Sequence, residues 1–229
     1  MKKHIKKSLQ LAGIVFASLV IMTGCANQSS NPEWVSAELS YMNVVYVGVD
    51  NPLIIAASDH RGNELEVSID NGKVVGSDGE YMISPAKAGT AKLTISAGGK
   101  LIGEKNLRAL SLPDPPAGVY VDLDGKKVFV QKAVLTLEEL IEIDDIRAEL
   151  TDFLWDVEYE VVSFNMVVTD IKGITMVLKS DSNQITEEQK NLIKRLRPVN
   201  TVLIEDIYAI GPDGLKRKLN DISLKIVDV

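Results

Sequence analysis

The sequence predicts a mainly β fold, in which an immunoglobulin-like β-sandwich is followed by a β-rich domain with two short helices. Short runs of strand-forming residues recur along the chain, separated by turns that contain Gly, Asn or Asp. Several runs alternate apolar and polar side chains, as strands do in an antiparallel sheet with one buried face. Two segments, both in the second half, carry the capping-box pattern that opens a helix. These patterns predict two β-rich domains in series.

The first 24 residues are predicted to be a lipoprotein signal peptide. Four lysines precede an apolar run at 9–22, and Thr23-Gly24-Cys25 follows it. The run is shorter than the roughly 20 residues of a membrane-spanning helix, whereas secretory signals have apolar regions of about 7–15 residues. Small residues before Cys25 favour cleavage there over an uncleaved membrane anchor. We therefore expect a lipid on Cys25, the only cysteine of the chain, which cannot form a disulfide within one copy.

The composition excludes one class of partner. Removal of residues 1–24 would leave 21 Lys and Arg against 32 Asp and Glu, a net charge of −11 compared with −7 for the whole chain. Binding of nucleic acid needs a basic surface, so no nucleic-acid partner is expected. With 45% hydrophobic residues and eight prolines, the chain has the composition of a globular protein rather than of a disordered stalk.

Residues 25–33 are predicted to be a tether, and residues 34–111 an immunoglobulin-like β-sandwich. Its predicted strands cover residues 37–47, 52–57, 64–69, 80–84, 90–96 and 101–110. In the third of these runs, Leu65, Val67 and Ile69 share one face and polar residues share the other, and the fifth run alternates in the same way. One buried and one solvated face is typical of a sandwich sheet.

Residues 112–118 hold three of the eight prolines and are predicted to be a stiff linker between the two domains. The second domain, residues 119–229, begins with a hairpin, because Asp124-Gly125 separates two strand-like runs at 119–123 and 126–130. Thr136 with Glu139 forms one capping box, and Thr186 with Gln189 forms another, which predicts a second helix to about residue 196.

The remaining predicted strands of the second domain cover residues 146–150, 153–169, 173–178, 202–210 and 219–227. At 146–150 a continuation of the first helix is the alternative. The long run at 153–169 changes the parity of its apolar residues at Val161-Val162. Such a change predicts a β-bulge, which places one extra residue in a strand.

No catalytic, cofactor or metal site is predicted. Beyond the signal peptide the only histidine is His60, and a metal site or a Ser-His-Asp triad needs further ligands or oriented partners. Nucleotide-binding glycine loops do not occur in the sequence. Part of a calcium loop is present at 122–125, but a hairpin turn explains it without an ion.

Acidic residues are abundant enough to raise the alternative of paired-acid hydrolysis. Glycosidases need two carboxyl groups a few ångströms apart. Acidic residues at the start of a helix or on the solvent-exposed face of a strand usually have no catalytic role. We favour that interpretation here. The residues concerned are Glu138, Glu139, Glu142, Asp144, Asp145, Glu158 and Glu160.

Aromatic residues in strand-like runs leave two interpretations open. They could line a ligand groove, or they could pack in the cores, which is the commoner role of aromatic side chains in strands. The residues concerned are Trp34, Tyr41, Tyr46, Phe153 and Trp155.

Several segments, taken in order, resemble one protein family. They are residues 41–52, Pro113-Asp114-Pro115, Phe164, residues 186–189, residues 204–207, Gly211-Pro212-Asp213-Gly214 and residues 217–220. This order and spacing resembles the C-terminal periplasmic part of the GldM family of gliding-motility and type IX secretion proteins, whose relatives include PorM. The resemblance runs from about residue 37 to residue 227, although its motifs consist largely of turn residues.

The resemblance implies the family's third and fourth domains in a protein that is dimeric and has no enzymatic activity. In that family the last domain points toward outer-membrane components of the secretion machine. GldM-like proteins begin with an inner-membrane helix that couples to a motor, whereas here a lipoprotein signal is expected, so the motor-coupling role is not carried over. No cofactor is implied.

The expected function is a non-catalytic envelope lipoprotein that serves as a protein-docking or scaffold module. We expect the N-terminal lipid to hold it at the outer membrane, facing the periplasm, with envelope proteins as partners and a homodimer as its assembly. The alternative hypothesis is a surface-displayed lipoprotein that binds carbohydrate or a host molecule. Protease accessibility in intact cells would favour this alternative.

Overall fold

The computed structural model describes residues 43–123, 125–169 and 172–228. The expectations for the signal peptide, Cys25, the tether, Trp34 and Tyr41 lie outside the described residues. All described residues belong to one compact unit. Within it, two clusters of buried side chains form separate hydrophobic cores, one in the first half of the chain and one in the second.

The first half forms two sheets that enclose the smaller core, as a sandwich does. Its strands are β1 (Val44–Tyr46), β2 (Asn51–Ile54), β3 (Leu65–Ile69), β4 (Lys73–Ser77), β5 (Glu80–Ser84), β6 (Gly89–Ala97) and β7 (Lys100–Leu110). One sheet has the order β1-β7-β6-β3, with β1 parallel to β7, and the other has the order β2-β5-β4. The predicted alternation holds in β6, where Ala91, Leu93 and Ile95 are buried.

Strand β4 was not predicted, and its exposure explains why. It is an edge strand, and Val74 is its only residue that is even half-buried. Without a buried face the strand has no apolar alternation to detect. Its one neighbour, β5, has the alternation that β4 lacks, with Tyr81 and Ile83 buried.

Asn51 fixes the turn between β1 and β2. Its buried side chain accepts a hydrogen bond from the Tyr46 amide at 2.8 Å and donates to the carbonyls of Tyr46, Val49 and Ile83 at 2.9–3.0 Å. A buried amide with all its partners stabilises a single loop conformation. Residues 47–50 are therefore presented in a defined position at the end of the first sandwich.

The second half forms a six-stranded sheet, a three-stranded sheet and two helices around the larger core. Its elements are β8 (Ala117–Leu123), β9 (Lys126–Val130), β10 (Lys132–Leu135), α1 (Leu137–Ile141), β11 (Arg147–Ala148), β12 (Glu160–Thr169), β13 (Thr175–Ser180), α2 (Glu187–Ile193), β14 (Thr201–Ile210), β15 (Lys216–Lys218) and β16 (Ile222–Ile226). The large sheet has the order β10-β16-β14-β12-β13, with β15 paired to β14, and the small one has the order β11-β8-β9. The predicted mainly β fold is confirmed.

Both capping boxes are present. Thr136 and Thr186 each accept a bond from the third residue of their helix, and the side chains of Glu139 and Gln189 accept bonds in return. Helix α2 ends at Ile193, three residues earlier than predicted. Among the described residues, neither helix has the length and apolar character that crossing a membrane requires.

The long run predicted as a strand at 153–169 is only partly a strand. Its regular part begins at Glu160, and the pairing register with β14 shifts on both sides of Ser163, so the predicted bulge is confirmed. Residues 153–159 lack a strand partner apart from one bridge between Glu149 and Glu158. They still alternate between more and less exposed side chains, which is why the sequence pattern predicted a strand.

Candidate functional site at the junction of the two halves

Arg217 and Asp213 form a buried ion pair where the two halves of the chain meet. The turn that ends β14 positions Asp213, and β15 positions Arg217 four residues later. The guanidinium donates two bonds to the carboxylate, Nη1 to Oδ1 at 2.9 Å and Nη2 to Oδ2 at 2.5 Å. The Arg217 side chain is 7% exposed and that of Asp213 is 0% exposed. Such a bidentate ion pair fixes both side chains in one geometry.

The same guanidinium binds the segment that connects the two halves. It donates to the Leu112 carbonyl at 3.1 Å, and its Nε lies 2.8 Å from the Asp114 carboxylate. Tyr159 adds two contacts, since its hydroxyl donates to the Pro113 carbonyl at 2.7 Å and its ring lies 5.5 Å from the Arg217 guanidinium. The connector is thus attached at three successive residues, 112, 113 and 114.

Asn220 attaches the connector at its other end. Its side chain accepts a bond from the Ala117 amide at 2.8 Å and donates to the Ala117 carbonyl at 3.1 Å. This pair of bonds imitates the pairing that a neighbouring strand would supply. Both ends of the connector are therefore held by residues of the last part of the described chain.

An aromatic cluster joins the first half to the second. Tyr46 meets the rings of Phe153 and Trp155 edge-on, with centroids 5.2 and 5.1 Å away. The Trp155 indole also donates to the Asp50 carbonyl at 3.0 Å. Edge-to-face pairs of this kind add stability beyond the area that they bury. The segment at 153–159 therefore serves as a contact surface for the first sandwich.

The backbones approach closely beside this cluster. Gly48 has φ +83°, and a Cβ added to it would lie 2.4 Å from the Asp213 nitrogen. Glycine is the residue that combines such a φ with such an approach. The buried ion pair and the loop of the first sandwich therefore meet at one point.

Electrostatics stabilises the charged form of the pair. Burial alone would raise the pKa of Asp213, but the hydrogen bonds and the charge of Arg217 outweigh it and lower that pKa below its ordinary value. The bond to Asp213 in turn raises the pKa of Arg217. Burial also raises the pKa of the Tyr159 hydroxyl, so that it stays a proton donor.

Asp213 is expected to make the fold sensitive to acid. A carboxyl group whose pKa is lower in the folded chain than its unfolded value of about 3.9 contributes stability above that value, and the contribution is lost as pH falls through the folded pKa. Asp213→Asn should therefore be less stable than the wild type at pH 7, and the difference should shrink below about pH 4. Thermal unfolding at pH 7 and pH 3 checks this. An equal difference at both values would contradict it.

The other candidate residues from the sequence lie apart from this junction. His60 lies in the bend before β3 with 30% of its side chain exposed, and its Nδ1 is 3.7 Å from the Glu64 carboxylate. Asp122 accepts a bond from the Gly125 amide at 2.7 Å, which stabilises the hairpin turn. Among the described residues, no group of three His, Cys, Asp or Glu is placed to hold a metal ion.

Several of the acidic residues that were considered for paired-acid hydrolysis have structural partners. Glu139 completes the capping box of α1, Asp144 pairs with Lys190, and Asp145 pairs with Arg147. Glu158 forms an isolated β-bridge with Glu149. The Glu149 carboxylate accepts a bond from the Tyr120 hydroxyl at 2.6 Å.

Phe153 and Trp155 fit both interpretations of the aromatic residues, packing against other side chains and lining a groove. They pack against Tyr46, and they also line an open groove of about 660 Å³ beside the junction. Arg147, Glu149 and Glu158 contribute charged groups to the same groove.

The sequence did not indicate the role of Arg217 and Asp213. Gly211-Pro212-Asp213-Gly214 was interpreted as a turn, which it is, but not as the carrier of a buried carboxylate. The spacing of four between Asp213 and Arg217 was the one local signal for the pair. The bond to Leu112 spans 105 residues of sequence and has no local signal.

Comparison with protein families identifies both halves. Residues 35–109 match the third domain of GldM, and residues 113–227 match the GldM C-terminal domain. The chain belongs to the GldM family. The predicted resemblance is confirmed, and this GldM-family chain is a cell-envelope protein related to gliding and type IX secretion. GldM domains are structural components of that machinery.

Two solved structures show distant likenesses to this GldM-family chain. The match to the Yersinia pseudotuberculosis adhesin InvE has 11% identity and a TM-score of 0.26, covers 81% of this chain and spans 57% of the InvE chain. The match to domains 6-7 of the surface layer protein SbsC has 13% identity and a TM-score of 0.20, with 79% and 80% coverage. At such scores neither likeness carries an argument. No curated protein sequence matches the chain.

Proposed function

We propose that this GldM-family chain is a non-catalytic scaffold of the cell envelope that docks other proteins of the gliding and type IX secretion machinery. The observation that carries the proposal is the junction, where a buried ion pair, three connector bonds and an aromatic cluster join both halves. A scaffold has to hold its two ends in a fixed relation, and a junction of this kind supports such a role.

The proposal includes the membrane attachment predicted from the sequence. A signal peptide at 1–24 would be removed, lipid on Cys25 would anchor the tether at 25–33, and the domains at 34–111 and 119–229 would extend from the outer membrane into the periplasm. Confinement at one membrane face raises the effective concentration of the domains for a partner there. A homodimer is part of the proposal, as the family suggests.

Cross-linking in intact cells tests this proposal. The protein is cross-linked in its native host, captured by affinity and examined by mass spectrometry, with Cys25→Ser as the matched control that cannot be lipidated. We expect the wild type to recover outer-membrane secretion components and the control to recover far less of them.

Two outcomes would count against the scaffold. Recovery of the protein alone would remove the docking role. Recovery of polysaccharide-binding proteins, together with protease accessibility in intact cells, would instead favour the surface-displayed alternative that binds carbohydrate or a host molecule.

A further inference from the structure

Strand β13 is an edge strand with little protection. Among the described residues, β12 is its only partner in the six-stranded sheet. Edge strands are usually blunted by proline, by bulges or by several charges. β13 reads Thr-Met-Val-Leu-Lys-Ser, which contains no proline and one charge, and it pairs with β12 without a register shift. Its outer edge therefore offers a regular row of main-chain groups.

Helix α2 lies beside β13 and supplies one bond to it. The buried Gln189 amide donates to the Leu178 carbonyl at 3.0 Å, while its oxygen accepts the Thr186 amide at 2.8 Å in the capping box. In the alternation of the large sheet, Met166 and Val168 of β12 face β13, so their partners Leu178 and Met176 are bonded to β12. The main-chain groups of the residues between and beside them, Thr175, Val177 and Lys179, therefore point to the outer edge.

A groove of about 610 Å³ runs between β13 and α2. Its apolar lining comes from the half-buried Met176, Leu178 and Leu192 and from the exposed Val177. The dimensions and lining are those of a peptide-binding groove rather than of a closed core.

The rim of the groove carries opposite charges at its two ends. Glu188 adjoins Gln189 and so lies at the Leu178 end, whereas Arg195 lies seven residues further on, two residues beyond the end of α2. Among the described residues, neither side chain forms an ion pair with another. The groove therefore has an electrostatic polarity that a bound segment could match.

We propose that this groove binds an extended segment of an envelope partner protein, which adds to β13 as an antiparallel strand. The segment would place a basic residue near Glu188, an apolar side chain against Leu192 and an acidic residue near Arg195. The inference rests on the proposed docking function and assigns it a site. A second copy is a poorer occupant, because pairing two β13 edges would bring two α2 helices against each other.

Peptide titration followed by NMR tests the groove on the mature chain. The probe is the acetylated and amidated heptapeptide Lys-Thr-Val-Thr-Val-Thr-Glu, and its control has the two charged residues exchanged. We expect amide shifts at Val177 and Lys179 with the first peptide and about tenfold weaker binding of the second. The double variant Glu188→Lys/Arg195→Glu, which changes only exposed side chains, should reverse this preference. Shifts confined to other regions, or none with either peptide, would overturn the proposal.

Capture in cells separates this inference from the scaffold proposal. Val177→Pro removes a main-chain donor on the outer edge without removing a bond to β12. If wild type and Val177→Pro capture the same envelope proteins in equal amounts, the groove is not the docking site and the scaffold stands. If the peptides bind as expected but the wild type captures no envelope protein, the scaffold fails and the groove stands.

Discussion

Replacing Arg217 with methionine is expected to lower the free energy of unfolding by about 3–5 kcal/mol, the range for removing one partner of a buried ion pair. The substitution leaves the Asp213 carboxylate buried without its cation and frees the Leu112 carbonyl and the Asp114 carboxylate. Methionine keeps much of the side-chain volume, so the loss reports charge and hydrogen bonds rather than a cavity. Urea-induced unfolding of the mature chain at pH 7 measures it.

Lys218→Met is the matched control for this variant. Lys218 is the next residue in β15 and pairs with Asp206, but its side chain is 56% exposed. Exposed pairs contribute about 0–1 kcal/mol, so the control should unfold almost as the wild type does. Equal losses in the two variants would mean that Arg217 does not organise the junction.

Gly48→Ala is expected to be strongly destabilising, because it adds a methyl group where the main chains of the two halves approach closely. The new Cβ would lie 2.4 Å from the Asp213 nitrogen and 2.7 Å from its Cα, and both are main-chain atoms that cannot turn aside. The left-handed backbone adds about 1–2 kcal/mol for a residue with a side chain. We expect a loss well above that value and a change in the fluorescence of Trp155, which lies at the same contact.

Gly99→Ala isolates the backbone part of this effect. Gly99 has a similar φ of +76°, but nothing lies within 4 Å of an added Cβ. Its loss should stay near the 1–2 kcal/mol of the backbone alone. If Gly48→Ala lost no more stability than Gly99→Ala, the result would contradict the close approach of the two halves.

Local signals made most of the fold predictable. A capping box such as Thr136 with Glu139 acts within four residues, so the sequence contains all of it. Alternation predicted strands such as β6 because one of its faces is buried. The prediction missed β4, β10 and β15, which are short or mostly exposed and owe their strand form to a neighbour.

The candidate site was far less predictable than the fold. Trp155 and Asp50 are 105 residues apart, and so are Arg217 and Leu112, so that each contact exists only once the chain has folded. The family resemblance pointed to Pro113-Asp114-Pro115 and Gly211-Pro212-Asp213-Gly214 as turn motifs. It did not indicate that Arg217 binds both of these segments.

The position of β16 has a consequence for the order in which the large sheet can form. This strand follows all the others in chain order, yet it lies inside the large sheet, between β10 and β14. Until β16 has emerged, β10 and β14 each present an open edge, and open edges invite mispairing and proteolysis. A chain that ended before β16 would therefore keep the facing edges of β10 and β14 unpaired. Proteases of the envelope would find their substrate at these two edges.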